Sequence, residues 1–79
     1  SMPPEMYVGE TDDLANALIP LQAHLREILP PDHPILAEIA DALTSRDVVK
    51  LRAAYDATEE LPDPVKIELM RREMDADAG

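Results

Sequence analysis

Leu14-Ala15-Asn16-Ala17-Leu18-Ile19-Pro20-Leu21-Gln22-Ala23-His24-Leu25-Arg26-Glu27-Ile28 is the most periodic stretch of the chain. Within it Leu14, Leu18, Leu21, Leu25 and Ile28 recur at steps of four, three, four and three. A helix turns once in about 3.6 residues, so this heptad spacing lines up five aliphatic side chains on one stripe. Such a stripe must be kept from water, and the other segments read as its cover.

Thr11 is a good N-cap for this helix, with Asp12 and Asp13 suited to the positive end of its dipole. Pro20 removes an amide donor and its ring crowds the carbonyl of Asn16. Either one long helix kinks there, or a short helix ends by Ile19 and a second starts at Pro20. The unbroken heptad phase favours the kinked helix, ending near Leu29. Residues 1–10, with two prolines and a glycine, read as a flexible N-terminal arm. Met6, Tyr7 and Val8 raise the alternative of an arm docked on the helices. Ser1 before Met2 reads as a residue left by protease cleavage, with Met2 the natural start.

Pro30-Pro31-Asp32-His33-Pro34 is a stiff connector that stops the first helix. Asp32 or His33 caps a second helix, with Pro34 in its first turn. That helix is expected to run to about Leu43, carrying Ile35, Leu36, Ile39 and Leu43 on one side. Ala37, Ala40 and Ala42 leave room for a neighbouring helix. Thr44-Ser45 forms a short turn, and Ser45 caps a third helix over 46–60 with Asp47 in its first turn. Val48, Leu51, Tyr55 and Thr58, flanked by Ala54, form its apolar side. So short a connection predicts an antiparallel hairpin of helices two and three. Leu61-Pro62-Asp63-Pro64 repeats the punctuation, with Asp63 as cap and a fourth helix running to about Asp75. Glu68 is placed to pair with Arg72 at i,i+4. Residues 76–79 should fray. The resemblance of residues 29–35 to 61–65 is one capping solution used twice, since so few repeats could not bury a solenoid core.

The expected fold is therefore all-α: one domain over 11–75, a compact bundle of about four short helices. Its expected core is Leu14, Leu18, Leu21, Leu25, Ile28, Leu36, Ile39, Leu43, Val48 and Leu51. A chain of 79 residues buries only about 60% of its extended surface, which leaves little margin of stability. There is no Trp or Phe, and Tyr7 and Tyr55 are the only aromatic residues. Large aromatic anchors are thus missing from the core, which raises the expectation of a protein partner or a second copy.

The net charge is −10, from 17 acidic and 7 basic side chains. Nucleic-acid binding needs a basic face that displaces counterions, so this balance disfavours it, as it does anionic membranes. It favours basic partners, or imitation of a polyanion. No apolar run is long enough to span a bilayer, no secretory signal is expected, and without cysteine there is neither disulfide nor thiolate metal site. A cytoplasmic location is the expectation.

No residue pattern names a chemistry. His24 and His33 lack the spacing of a metal site, so no metal or cofactor is expected. Asp12-Asp13, Glu59-Glu60 and Asp75 with Asp77 lie near helix ends, whereas acid–base catalysis needs a carboxylate in a cleft. An enzyme is not expected. A helix-turn-helix would aim Arg46, Lys50 and Arg52 at DNA, but Asp47, Asp56, Glu59 and Glu60 share that helix. The remaining signal is surplus apolar surface. Ile19, Leu29, Tyr55, Leu61, Met70 and Met74 are the expected partner-binding residues, Met being adaptable at binding surfaces. The leading expectation is a small protein–protein interaction module, a regulator, adaptor or docking domain, with homodimerisation one form of it. An acidic inhibitor imitating nucleic acid ranks second and a helix-turn-helix DNA-binding regulator third.

Overall fold

The computed structural model describes the backbone of residues 4–78 and the side chains of residues 9–77. Four helices follow in order: α1 Pro4–Ile28, α2 Pro34–Ser45, α3 Val48–Glu59 and α4 Asp63–Ala78. There is no strand among the described residues. α2 and α3 form the most closely packed pair, and α1 touches all three other helices. The all-α bundle and its α2–α3 hairpin are as the periodicity predicts.

Several boundaries differ. α1 starts at Pro4, so Thr11 lies within the helix and does not cap it. Proline is pre-set for the first helical position. The added turns carry Glu10, which pairs with Arg52 of α3, while Asp12, already within the expected helix, pairs with Arg46. A contact distant in sequence thus reaches the last residue of a segment whose local composition reads as an arm. Docking of Met6 and Tyr7 lies outside the described side chains.

α1 is also unbroken at Pro20. Pro20 and Asn16 are both exposed, so water can satisfy the Asn16 carbonyl that loses its amide donor. The helix neither splits nor restarts there. It ends one bond later, with Leu29 N–H donating to the Leu25 carbonyl at 2.8 Å, and the two prolines stop it.

His33 is the cap of α2. Its backbone is extended, and its Nδ1 accepts from the Ile35 amide at 3.2 Å. The turn to α3 falls later than expected, because Thr44 and Ser45 belong to α2. Arg46 closes α2 in the left-handed region at φ 53°, its amide donating to the Ala42 carbonyl. Asp47, not Ser45, caps α3, accepting from the Val49 amide at 3.2 Å. Ser45 Oγ instead bridges the turn, donating to the Ala42 carbonyl and accepting from the Asp47 amide. At the fourth helix, Asp63 is the first helical residue, and the Pro62 carbonyl accepts from the Val65 and Lys66 amides. The helix continues to Ala78, three residues past the expected end at Asp75.

Leu18 and Leu25 of the stripe, Ile39 of α2 and Leu51 of α3 are completely buried. Leu14, Leu21 and Ile28 flank them half-buried, as do Leu36 and Leu43. Val48 is half-buried too. Ala15, Ala42 and Ala54 are buried between helices, where a small side chain lets backbones approach. Ala37 does not share this role, being exposed.

The molecule measures 41 × 30 × 19 Å. Its thinnest dimension is about two helix diameters. No third layer exists to enclose a helix, so every helix keeps an outer face.

Candidate functional site

α4 carries the most unusual outer face. Its inward residues are Leu69, buried, and Val65, half-buried against the core. On the opposite side Ile67, Met70 and Met74 stand at i, i+3 and i+7, with exposures of 66%, 61% and 65%. That spacing makes them one continuous apolar stripe in water.

Beside this stripe α1, α3 and α4 leave a hollow of about 430 Å³. Ala17, Pro20 and Leu21 form its α1 wall, Tyr55 its α3 wall, and Leu69 and Met70 its α4 wall. Glu59, Lys66 and Glu73 stand at its edge. A second hollow of about 540 Å³ continues along α1 past Gly9, Asp13 and Leu14. Ala17 and Tyr55 line both. Tyr55 is half-buried and packs against the core.

The six residues expected to meet a partner do not share one surface. Met70 and Met74 are on the α4 stripe, and Met70 and Tyr55 line the first hollow. Ile19 is 53% exposed on α1, outside the lining of either hollow. Leu29 is half-buried against the core. Leu61 is buried in the core, because the bend into α4 folds it back over the bundle. Ile67 was not among the six, although its spacing from Met70 and Met74 could have marked it. Val49 is a further exposed aliphatic residue, at the edge of a third hollow with Val48 and Ala53. It lies outside the apolar period of α3, and no sequence signal marks it.

Charge is arranged unevenly. Among the described residues every lysine and arginine except Arg26 is in an ion pair. Arg46 reaches Asp12 at 2.5 Å, Lys50 reaches Asp41 at 3.0 Å, and Arg52 pairs with Glu10. The Arg52 guanidinium is held further above its ordinary range by the Glu10 hydrogen bond and charge. These are the cations that a DNA-reading helix would have to present, and here they tie α3 and its preceding turn to α1 and α2.

On α4, Glu68 accepts from Arg71 and Arg72. Those three hydrogen bonds, the Arg71 ones first, hold its carboxyl down at about 2. Arg71 also reaches Asp75 at 2.8 Å, and Arg72 crosses to Glu27 of α1 at 3.2 Å. This cluster fastens α4 to α1. Its carboxylate is stabilised as the anion, the opposite of what a general acid requires.

Asp13, Asp56, Glu59, Glu60 and Glu73 have no cation within ion-pair distance among the described residues. Three of these, Asp13, Glu59 and Glu73, edge the two hollows. His33 is occupied as a cap, and no group of three metal-ligating side chains exists among the described residues. No helix of the described residues is long and apolar enough to cross a membrane. The fold and the surface together describe a helical bundle with an apolar face edged by acids. Comparison with protein-family models, with curated proteins and with solved structures finds no match to this chain.

Proposed function

We propose that this chain is a non-enzymatic protein–protein interaction module that acts through the outer face of α4 and the hollow beside it. The observation that carries the reading is the stripe of Ile67, Met70 and Met74, three large apolar side chains exposed in register on one helix. Isolated exposed aliphatics are ordinary, whereas an aligned set beside a concave apolar surface is the usual form of a helix-binding face. Methionine's flexible side chain adapts to a partner's shape. A second copy of the chain is one candidate partner and another protein the other.

Affinity capture from cells of the source organism, using the native chain and the variant Ile67→Ser/Met70→Ser/Met74→Ser as paired baits, tests this. The expected outcome is a protein retained by the native bait and lost with the variant. The same purified protein should then bind the native chain saturably. Identical recoveries from both baits would end the reading.

Imitation of nucleic acid by the acidic surface is the second reading. It is favoured by the internal pairing of nearly all the cations, which leaves the unpaired charge negative. Binding of a basic nucleic-acid-handling protein that survives loss of the α4 stripe but fails at raised salt would select it.

A further inference from the structure

The two hollows along α1 share Ala17 and Tyr55 in their walls and lie end to end along that helix, a trough stepped at Tyr55. From Gly9 to Leu21 it follows α1 for about 18 Å, at 1.5 Å rise per residue, or roughly three turns of a second helix. Leu14, Ala17 and Leu21 supply apolar floor from α1, and Tyr55 stands midway, lining both hollows. An amphipathic helix laid in such a groove is held by anchors at i, i+3 or i+4, and i+7.

The edges identify the charge of the occupant. Asp13 lies toward one end, Glu59 and Glu73 toward the other, and none has an internal cation partner among the described residues. Lys66 and the Arg52–Glu10 pair also line it, so the lining carries four carboxylates against two cations and remains acidic on balance. A second copy of this chain would bring a further net charge of −10 to an acidic edge. Like charges across an interface oppose pairing.

We infer that this trough receives a basic amphipathic helix of another protein, its apolar face on Leu14, Ala17, Leu21, Tyr55 and Met70 and its lysines or arginines on Asp13, Glu59 and Glu73. This rests on the interaction-module reading and names the chemistry of its partner.

Two synthetic peptides test it. Both carry Leu at i, i+4 and i+7 on one face, one with lysines beside that face and the other with glutamates. Their dissociation constants are measured by fluorescence anisotropy against the native chain, Glu59→Lys/Glu73→Lys and Met70→Ser. All three substituted residues are exposed. The lysine peptide should bind the native chain at least roughly tenfold more tightly than the glutamate peptide, as a few exposed ion pairs would give. The double charge reversal should abolish or invert that preference, and Met70→Ser should weaken both peptides. Equal affinities overturn the basic partner while leaving an apolar docking face. A native chain that sediments as a dimer, binds neither peptide and becomes monomeric in Met70→Ser makes the trough a self-association face and overturns the inference. A monomer that binds neither peptide also overturns it. The wider reading is then judged by the paired capture, which depends on the α4 stripe and not on the edge acids.

Discussion

His33, Arg46 and Gly9 show how much single positions settle in a molecule this small. The imidazole of His33 takes the capping place at α2, and Nδ1 must be unprotonated to accept from the Ile35 amide. His33→Ala should cost about 1 kcal/mol by urea denaturation, and His33→Asn should recover most of it, because the requirement is an acceptor at that point. Arg46 holds left-handed backbone at φ 53° without being glycine, and its ion pair with Asp12 is largely exposed. Its backbone costs about 1–2 kcal/mol relative to a right-handed residue, and the exposed ion pair offsets little of that. Gly9 is helical, and a Cβ added there would meet nothing within 4 Å. Gly9→Ala should accordingly stabilise the fold by about 0.5–1 kcal/mol, the usual helix-interior difference, read as a higher urea midpoint at unchanged slope. An unchanged midpoint would show that the N-terminal turns of α1 do not persist in solution.

Among the helices, α1 is central, but its stripe is not uniform. Leu25 is fully buried, whereas Leu21 is half-buried and forms part of the trough. Leu25→Ala should lose about 2–5 kcal/mol, the range for a large-to-small core change, and Leu21→Ala clearly less. Thermal melts of the pair would reveal the order. Helix α4 depends on charge as well as burial. The Glu68 carboxyl has its pKa lowered from 4.5 to about 2 by Arg71 and Arg72. A lowered folded-state value means that the stabilisation is complete above the ordinary carboxylate range and is lost as pH falls from about 4.5 toward about 2. Glu68→Gln removes this contribution at neutral pH and leaves less to lose in acid. The stability difference between native chain and variant should therefore shrink as pH is lowered through that window, followed by circular dichroism melts. A constant difference would place the Glu68 effect outside the ion cluster.

The whole molecule is two helix layers thick, and its surface follows from that. With no third layer, the outer side of α4 stays in water together with Ile67, Met70 and Met74. Replacing all three by serine should change unfolding free energy by no more than about 0.5 kcal/mol per site, as for surface substitutions, measured in urea. A large loss would mean that the stripe is covered within the molecule. Much of the fold was legible beforehand. The stripe from Leu14 to Ile28, the proline punctuation at residues 30–34 and 61–64, and the closeness of helices two and three are local patterns, and local patterns dictate helices and hairpins. The start of α1 at Pro4 was not legible, because two prolines and a glycine fall within residues 1–10, and the pairing of Glu10 with Arg52, 42 residues away, is no local pattern. Nor was the fate of Leu61 beside that of Met70. Both are apolar residues near α4, and only the bend after α3 puts one in the core and the other in water. Periodicity within the chain thus specified which segments coil and which side of the first helix turns inward. Which apolar residues were left over to form a trough, and which acids edge it, was decided when the helices packed, since a surface exists only relative to its neighbours.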